Sequence, residues 1–160
     1  STTARTDEDY SHDVEGFNYR LTNLQAAVGC AQLEQADEFL SRKRVIDAAY
    51  RSSWKGTQIT PFPCTDWAMS SCWMTGAVLP RKSPWKLDEM VEDLAARGIQ
   101  ARGFWKPMHL QPPYVTSPRT RMTVTDDLWK RVLTLPSSTS LTQVDQGFVI
   151  AAVLDLVNAS

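Results

Sequence analysis

Positions 21–54 contain no proline, and apolar residues recur through them at helical intervals. Leu24, Val28 and Ala31 form one set, Leu33, Ala36 and Leu40 a second, and Phe39, Ile46, Tyr50 and Trp54 a third. One long helix, bent near Gly29, is the simplest account. Its apolar stripe drifts around the axis, and Ala26, Ala27, Val28 and Gly29 are small enough for another helix or subunit to approach closely. The pattern predicts an interface helix.

A short polar and aromatic cluster precedes this run: His12, then Gly16, Phe17, Asn18, Tyr19 and Arg20. The free N–H groups and partial positive charge of a helix start attract anions, so phosphate or carboxylate is the expected guest. Asn18 carries an amide that donates to a phosphate oxygen, or else it caps or turns the chain. Arg20 has the planar fork that suits a carboxylate, with a surface salt bridge as the alternative. His12 titrates near neutral pH, and as a residue alone it fits a structural or interface role. Residues 1–15 are polar and without period, an arm that needs a neighbour to be ordered.

Further along, Pro61 and Pro63 close the helical region, and the apolar run 72–79 before Pro80 suits a buried strand. Ser83 and Pro84 offer a helix start, with Leu87, Met90, Val91 and Leu94 on one face and Gly98 as its stop. Residues 99–104 are a second strand candidate. Val124, Leu128 and Val132 mark a short helix, and 133–135 continues as a third strand. Thr142 with Asp145 resembles a capping box in which Asp replaces Glu, ahead of a final helix bearing Val149, Val153, Leu156 and Val157. This order predicts a two-layer α/β sandwich with a small, mostly antiparallel sheet. We divide the chain at 1–20, an arm with an anion-binding motif, and 21–160, a long helix with a small α/β domain.

The segment 105–122 has four prolines and no period, so it is a loop long enough to be functional. Trp105, Lys106, His109 and Tyr114 make it a candidate sugar-nucleotide or phosphate surface; the alternative is that Trp105 and Tyr114 pin the loop to the core. Arg102, Arg119 and Arg121 near it either meet a diphosphate or stay solvated.

With 160 residues, 42% of them hydrophobic, the chain supports one domain with a real core. Its net charge of −1, with scattered Lys and Arg, supplies no basic face for nucleic acid. Cys30, Cys64 and Cys72 lack C-x-x-C spacing, which argues for reduced thiols in a cytoplasmic setting, with Cys30 packing inside the helix. No apolar run is long enough to span a bilayer, so no membrane partner is expected. Two histidines without Cys or acid at ligand spacing make no metal site.

The segments HDVEGFNYRLTNLQAAVGCAQLEQADEFLSRKR, RGIQARGFWKPMHLQPPY and LTLPSSTSLTQVD, in this order, resemble the C-terminal half of pyridoxal-phosphate-dependent sugar aminotransferases of the DegT/DnrJ/EryC1/StrS family. The resemblance implies the small C-terminal domain of a fold-type I transferase, in a homodimer that acts on a keto-sugar nucleotide and an amino donor such as glutamate. It implies that Asn18 reaches the cofactor phosphate of the other subunit, that Arg20 meets the donor carboxylate, and that His12 matches a family histidine. The family's cofactor-bearing lysine, the carboxylate facing the pyridine nitrogen and the ring-stacking aromatic lie upstream of the matched segments. No catalytic residue is therefore expected within 1–160, and the chain alone is expected to be inactive. Two other readings stay open: a sugar dehydrase of the same family, in which histidine replaces that lysine, and a non-catalytic dimerisation domain.

Overall fold

The computed structural model describes residues 19–158, so the expectations for the arm, His12 and Asn18 fall outside the described residues. The chain divides into two compact units, with the boundary between Asp37 and Glu38.

In the first unit, Thr22 starts helix α1 (Asn23–Glu34) through a complete capping box. The Thr22 hydroxyl accepts from the Gln25 N–H at 3.3 Å, and the Gln25 side chain accepts from the Thr22 N–H at 3.0 Å. Two otherwise unpaired helix N–H groups are thereby satisfied. None of the α1 residues is buried. Leu24, Val28 and Leu33 stand in solvent, and so does Cys30, which does not pack as its helical pattern suggested.

The expected single helix is two. Gln35 leaves helical geometry at φ −106°, ψ 4°, and its N–H turns to the Gln32 carbonyl. Its side-chain amide binds the Ala31 carbonyl at 3.1 Å. Helix α2 (Ala36–Ser53) then begins afresh. The interruption falls at Gln35, whereas Gly29 stays inside regular helix and costs only propensity there.

The second unit is built around Ile46, Tyr50 and Trp54, the buried stripe at the end of α2. Tyr50 and Trp54 stack with ring centres 5.9 Å apart. Both polar tips are satisfied by backbone: the Tyr50 hydroxyl donates to the Pro136 carbonyl at 2.9 Å, and the Trp54 indole N–H donates to the Gly76 carbonyl at 3.2 Å. Burial pushes the Tyr50 phenol well above its ordinary range.

Strands β1 (Thr75–Val78), β2 (Arg102–Gly103) and β3 (Val132–Leu135) form an antiparallel sheet in the order β1-β3-β2. Gly76, Thr134 and Arg102 lie side by side across it, as do Ala77, Leu133 and Gly103. Side chains alternate between faces, and the Ala77 row faces the core. There it meets α2, helix α3 (Leu87–Ala96), through Met90 and Leu94, and helix α5 (Gln143–Asn158), through Val149, Ala152, Val153 and Val157. A Cβ added at Gly103 would stand 3.1 Å from the Leu87 side chain, so α3 is seated directly on this face. Gln146 of α5 donates to the Ile46 carbonyl at 2.8 Å and ties α5 to α2.

Gly98 stops α3 at φ +76°, as its position after the last apolar turn predicts. The strand expected over 99–104 shrinks to two residues, because the Ala101 N–H turns back to the Ile99 carbonyl at 3.0 Å instead of joining the ladder. Likewise 72–79 narrows to β1: Cys72 has φ +51° and its N–H is held by the Ser70 hydroxyl at 3.0 Å, so the chain extends only from Thr75. Val132 belongs to β3, not to the preceding helix α4 (Thr123–Leu128), which ends in a 3₁₀ turn at Trp129–Arg131. At α5 the Thr142 hydroxyl accepts from the Asp145 N–H at 3.1 Å and donates to the Asp145 carboxylate at 2.6 Å. Asp, a methylene shorter than Glu, meets the threonine side chain and not its backbone.

Candidate functional site

The face of the sheet that carries Gly76, Thr134 and Arg102 is turned away from the helical core. Where the chain enters β1 and β2 and leaves β3, a groove of about 510 Å³ opens, lined by Trp73, Trp105, Arg102, Lys43, Ser137 and Ser138 among others. Trp73 and Trp105 are 66% and 54% exposed. Their indoles stack at 5.7 Å with planes 29° apart, and Phe104 lies against Trp105 at 5.3 Å. Large exposed aromatics lining a hollow mark a contact surface.

Lys43 fastens one wall. Its ammonium donates to the carbonyls of Trp73, at 3.1 Å, and Ser137. Burial lowers its pKa, and the nearby Cys72 partly offsets the shift. One helical turn on, Asp47 is buried and accepts from the Thr75 hydroxyl at 2.6 Å and from the Arg51 guanidinium. Buried carboxylates persist when paired and hydrogen-bonded in this way. The Cys72 thiol is pushed up by burial and by the neighbouring Asp47 charge. This rank of Lys43, Asp47 and Arg51 fixes the entry to β1 and with it the position of Trp73.

The four loop residues singled out in the sequence do not share one cleft. Trp105 lines the groove. His109 and Tyr114 line a separate cleft of about 460 Å³ with Met108, Arg119 and Met122. Lys106 is exposed and lines neither, while its carbonyl accepts from the Gln111 side chain at 3.2 Å. His109 Nε2 is hydrogen-bonded to Asp126 Oδ1 at 2.7 Å with only 10% of the side chain exposed. Arg119 donates to the carbonyls of Val115, at 2.9 Å, and His109, at 3.4 Å. Those contacts brace two short 3₁₀ turns, Met108–Leu110 and Pro112–Tyr114, where the sequence suggested an irregular loop. Arg20 is exposed and belongs to the first unit, and Arg121 is exposed.

Sequence reasoning missed Lys43, Trp73 and the serines of the groove. Lys43 and Asp47 are one helical turn apart on α2, and Ser137 and Ser138 follow Pro136 directly after β3. That spacing was the available signal, but it reads as an ordinary solvated helix face until the strands are placed. Among the described residues no group of His, Cys, Asp and Glu is arranged to hold a metal, and no helix is long and apolar enough to cross a membrane.

An antiparallel sheet covered on one face by three helices is the architecture of the small domain in the pyridoxal-phosphate aminotransferases that this structure resembles. The chain belongs to the DegT/DnrJ/EryC1/StrS aminotransferase family, whose profile matches residues 1–154. It is 37% identical over 132 residues to a GDP-perosamine synthase of Escherichia coli O157:H7, covering 82% of this chain and 35% of that protein. With the GDP-perosamine synthase of Caulobacter vibrioides the identity is 33%, over 89% of this chain and 39% of the other. The chain thus spans under two-fifths of the length of these curated relatives. The fold is shared with Helicobacter pylori PseC, an aminotransferase involved in the biosynthesis of pseudoaminic acid, at a TM-score of 0.83 and 20% identity over 98% of this chain and 43% of that one. Streptomyces venezuelae DesV superposes with a TM-score of 0.77 at 27% identity, covering 95% and 41%.

Proposed function

We propose that this chain is the C-terminal portion of an enzyme that moves an amino group from glutamate or a similar donor to a keto-sugar nucleotide, with pyridoxal phosphate as cofactor. The observation that carries this reading is the family match over residues 1–154, supported by relatives whose names denote nucleotide-sugar enzymes. A cytoplasmic setting is part of the proposal, in keeping with three free cysteines.

Among the described residues the groove does not by itself suit the cofactor. No carboxylate lines it to face a pyridine nitrogen, and its lysine, Lys43, is held by two backbone carbonyls. The cofactor, when bound, supplies the electron sink for the amino transfer. This chain would contribute binding and orientation: Asn18 donating its amide to the cofactor phosphate across a dimer interface, and Arg20 clamping the donor carboxylate, with His12 beside them. Trp105 in the groove and His109 and Tyr114 in the separate cleft would form parts of the acceptor wall, with Lys106 exposed between them and His109 acting mainly by holding the loop through Asp126.

The test follows the two half-reactions of the complete enzyme by the cofactor's colour. Glutamate should convert the cofactor, and Arg20→Ala should raise the Michaelis constant for glutamate about tenfold or more, the loss of a charge-assisted clamp. A complete enzyme whose cofactor does not respond to any amino donor would overturn the transaminase reading.

Assembly gives a second expectation. The exposed apolar residues of α1, Leu24, Val28 and Leu33, should be covered by a second copy in a two-fold contact. Light scattering at rising concentration should report a dimer; a strict monomer at high micromolar concentration would remove the basis for placing Asn18 in the partner's site.

A further inference from the structure

The paired register of β1 and β3 ends at Thr75 and Leu135. Beyond that pair the chain on each side lines the groove, Trp73 ahead of β1 and Ser137 after β3, and the ladder no longer spaces them. We infer that Lys43 sets this spacing and is thereby a positioning residue for the acceptor half of the reaction, a role that rests on the aminotransferase reading.

The link between the two segments comes from outside the sheet. The Lys43 ammonium donates to the Trp73 carbonyl, at 3.1 Å, and to the Ser137 carbonyl. An ammonium carries three diverging N–H donors, so a single nitrogen can hold two carbonyls of different strands at a fixed separation. The Ser137 hydroxyl also approaches the Trp73 carbonyl, but at 3.5 Å it is a long contact. Two further side chains of α2 reach this end of the sheet. Asp47 accepts from the Thr75 hydroxyl at 2.6 Å, and the Tyr50 hydroxyl donates to the Pro136 carbonyl at 2.9 Å. Each of those fixes one segment to α2, and of the three only Lys43 joins both.

Charge pairing does not account for the residue. Among the described residues Lys43 forms no ion pair, and the Asp47 carboxylate one turn on is taken by Thr75 and Arg51. Desolvation disfavours the ammonium where it stands. Its use there is to donate. The effect reaches the opposite side of the groove, because Trp73 stacks on Trp105 at 5.7 Å and Trp105 lies against Phe104. A shift of the Trp73 backbone therefore moves the indole pair, while the buried cluster around Ile46, Tyr50 and Trp54 does not include Lys43.

The experiment compares the complete enzyme with its Lys43→Met and Lys43→Arg variants. Methionine keeps an unbranched apolar stem and removes every donor, whereas arginine keeps donors for the two carbonyls. Circular dichroism reads the fold, and the far-ultraviolet exciton couplet of stacked indoles reads the Trp73–Trp105 pair, assigned by its loss in Trp73→Phe. Lys43→Met should melt close to the parent and lose the couplet. Its Michaelis constant for the keto-sugar nucleotide should rise about tenfold or more, since misplacing a contact by about an ångström can cost up to roughly a hundredfold. The glutamate half-reaction should stay as in the parent, and Lys43→Arg should recover the couplet and bring the Michaelis constant back towards the parent's. A folded Lys43→Met variant with the parent's couplet, or one that loses the couplet and keeps the parent's Michaelis constant, would overturn the role. So would equal loss in both half-reactions or failure to fold, since the residue would then support the domain at large. Each of these results leaves the transaminase reading standing, because the parent's response to glutamate tests it separately.

Discussion

Replacing Gly76 with alanine is expected to destabilise the second unit by about 1–3 kcal/mol, the usual range for forcing atoms into a packed interior. A Cβ at that position would stand 1.9 Å from the Leu133 carbonyl oxygen and 3.0 Å from the Thr134 Cα. Both are backbone atoms of β3, the central strand, so no side-chain rotation relieves the contact. Either β1 moves off β3 or the pairing is lost. The Trp54 indole donates to the Gly76 carbonyl, so a shift there also disturbs the buried Tyr50–Trp54 stack. Chemical denaturation should show a clearly lower midpoint, and glycine at 76 should be uniquely tolerated among the residues of β1. An alanine variant as stable as the parent would mean that Gly76 does not pair opposite Thr134.

The same strand shows what the sequence could reveal. The apolar run before Pro80 disclosed a buried strand, but its register lies in the match of Gly76 to the β3 backbone, which no local pattern records. Gly98 and the apolar turns of 87–96 marked a helix and its end accurately, since an apolar stripe and a left-handed stop are both local properties. Gln35 could not be foreseen as a break: it is neither Gly nor Pro, and its side-chain amide takes the Ala31 carbonyl while its N–H turns to Gln32, an exchange that no local pattern records. The groove was half legible. Trp105 stood out through its proline-rich setting, whereas Lys43 became part of the site only through a bond to Ser137, 94 positions away. His109 stood out as a contact group, and the structure gives it an equally specific task, holding Asp126.

The largest functional effect is expected at Asn18, whose role rests on the family resemblance and on its place just ahead of a helix start. In the complete enzyme, Asn18→Ala removes one hydrogen bond to a charged phosphate oxygen, worth about 1.5–3 kcal/mol. Cofactor affinity should fall by roughly ten- to a hundredfold. Asn18→Asp should cost more, because it sets a carboxylate against the phosphate. Equilibrium titration of the cofactor, read by its absorbance, measures both. The proposed contact across the dimer adds a sharper test. An Asn18→Ala subunit paired with a subunit lacking the cofactor-bearing lysine creates one site with both groups intact and one with neither. Parent-like cofactor binding at the intact site is therefore expected in the mixed dimer, although each homodimer is defective. Were Asn18 to serve its own subunit's cofactor, every site of the mixed dimer would lack one group, and mixing would restore nothing. If Asn18→Ala and Asn18→Asp both hold cofactor as the parent does, Asn18 is a turn or cap residue, and the anion expected at this helix start is bound by other groups.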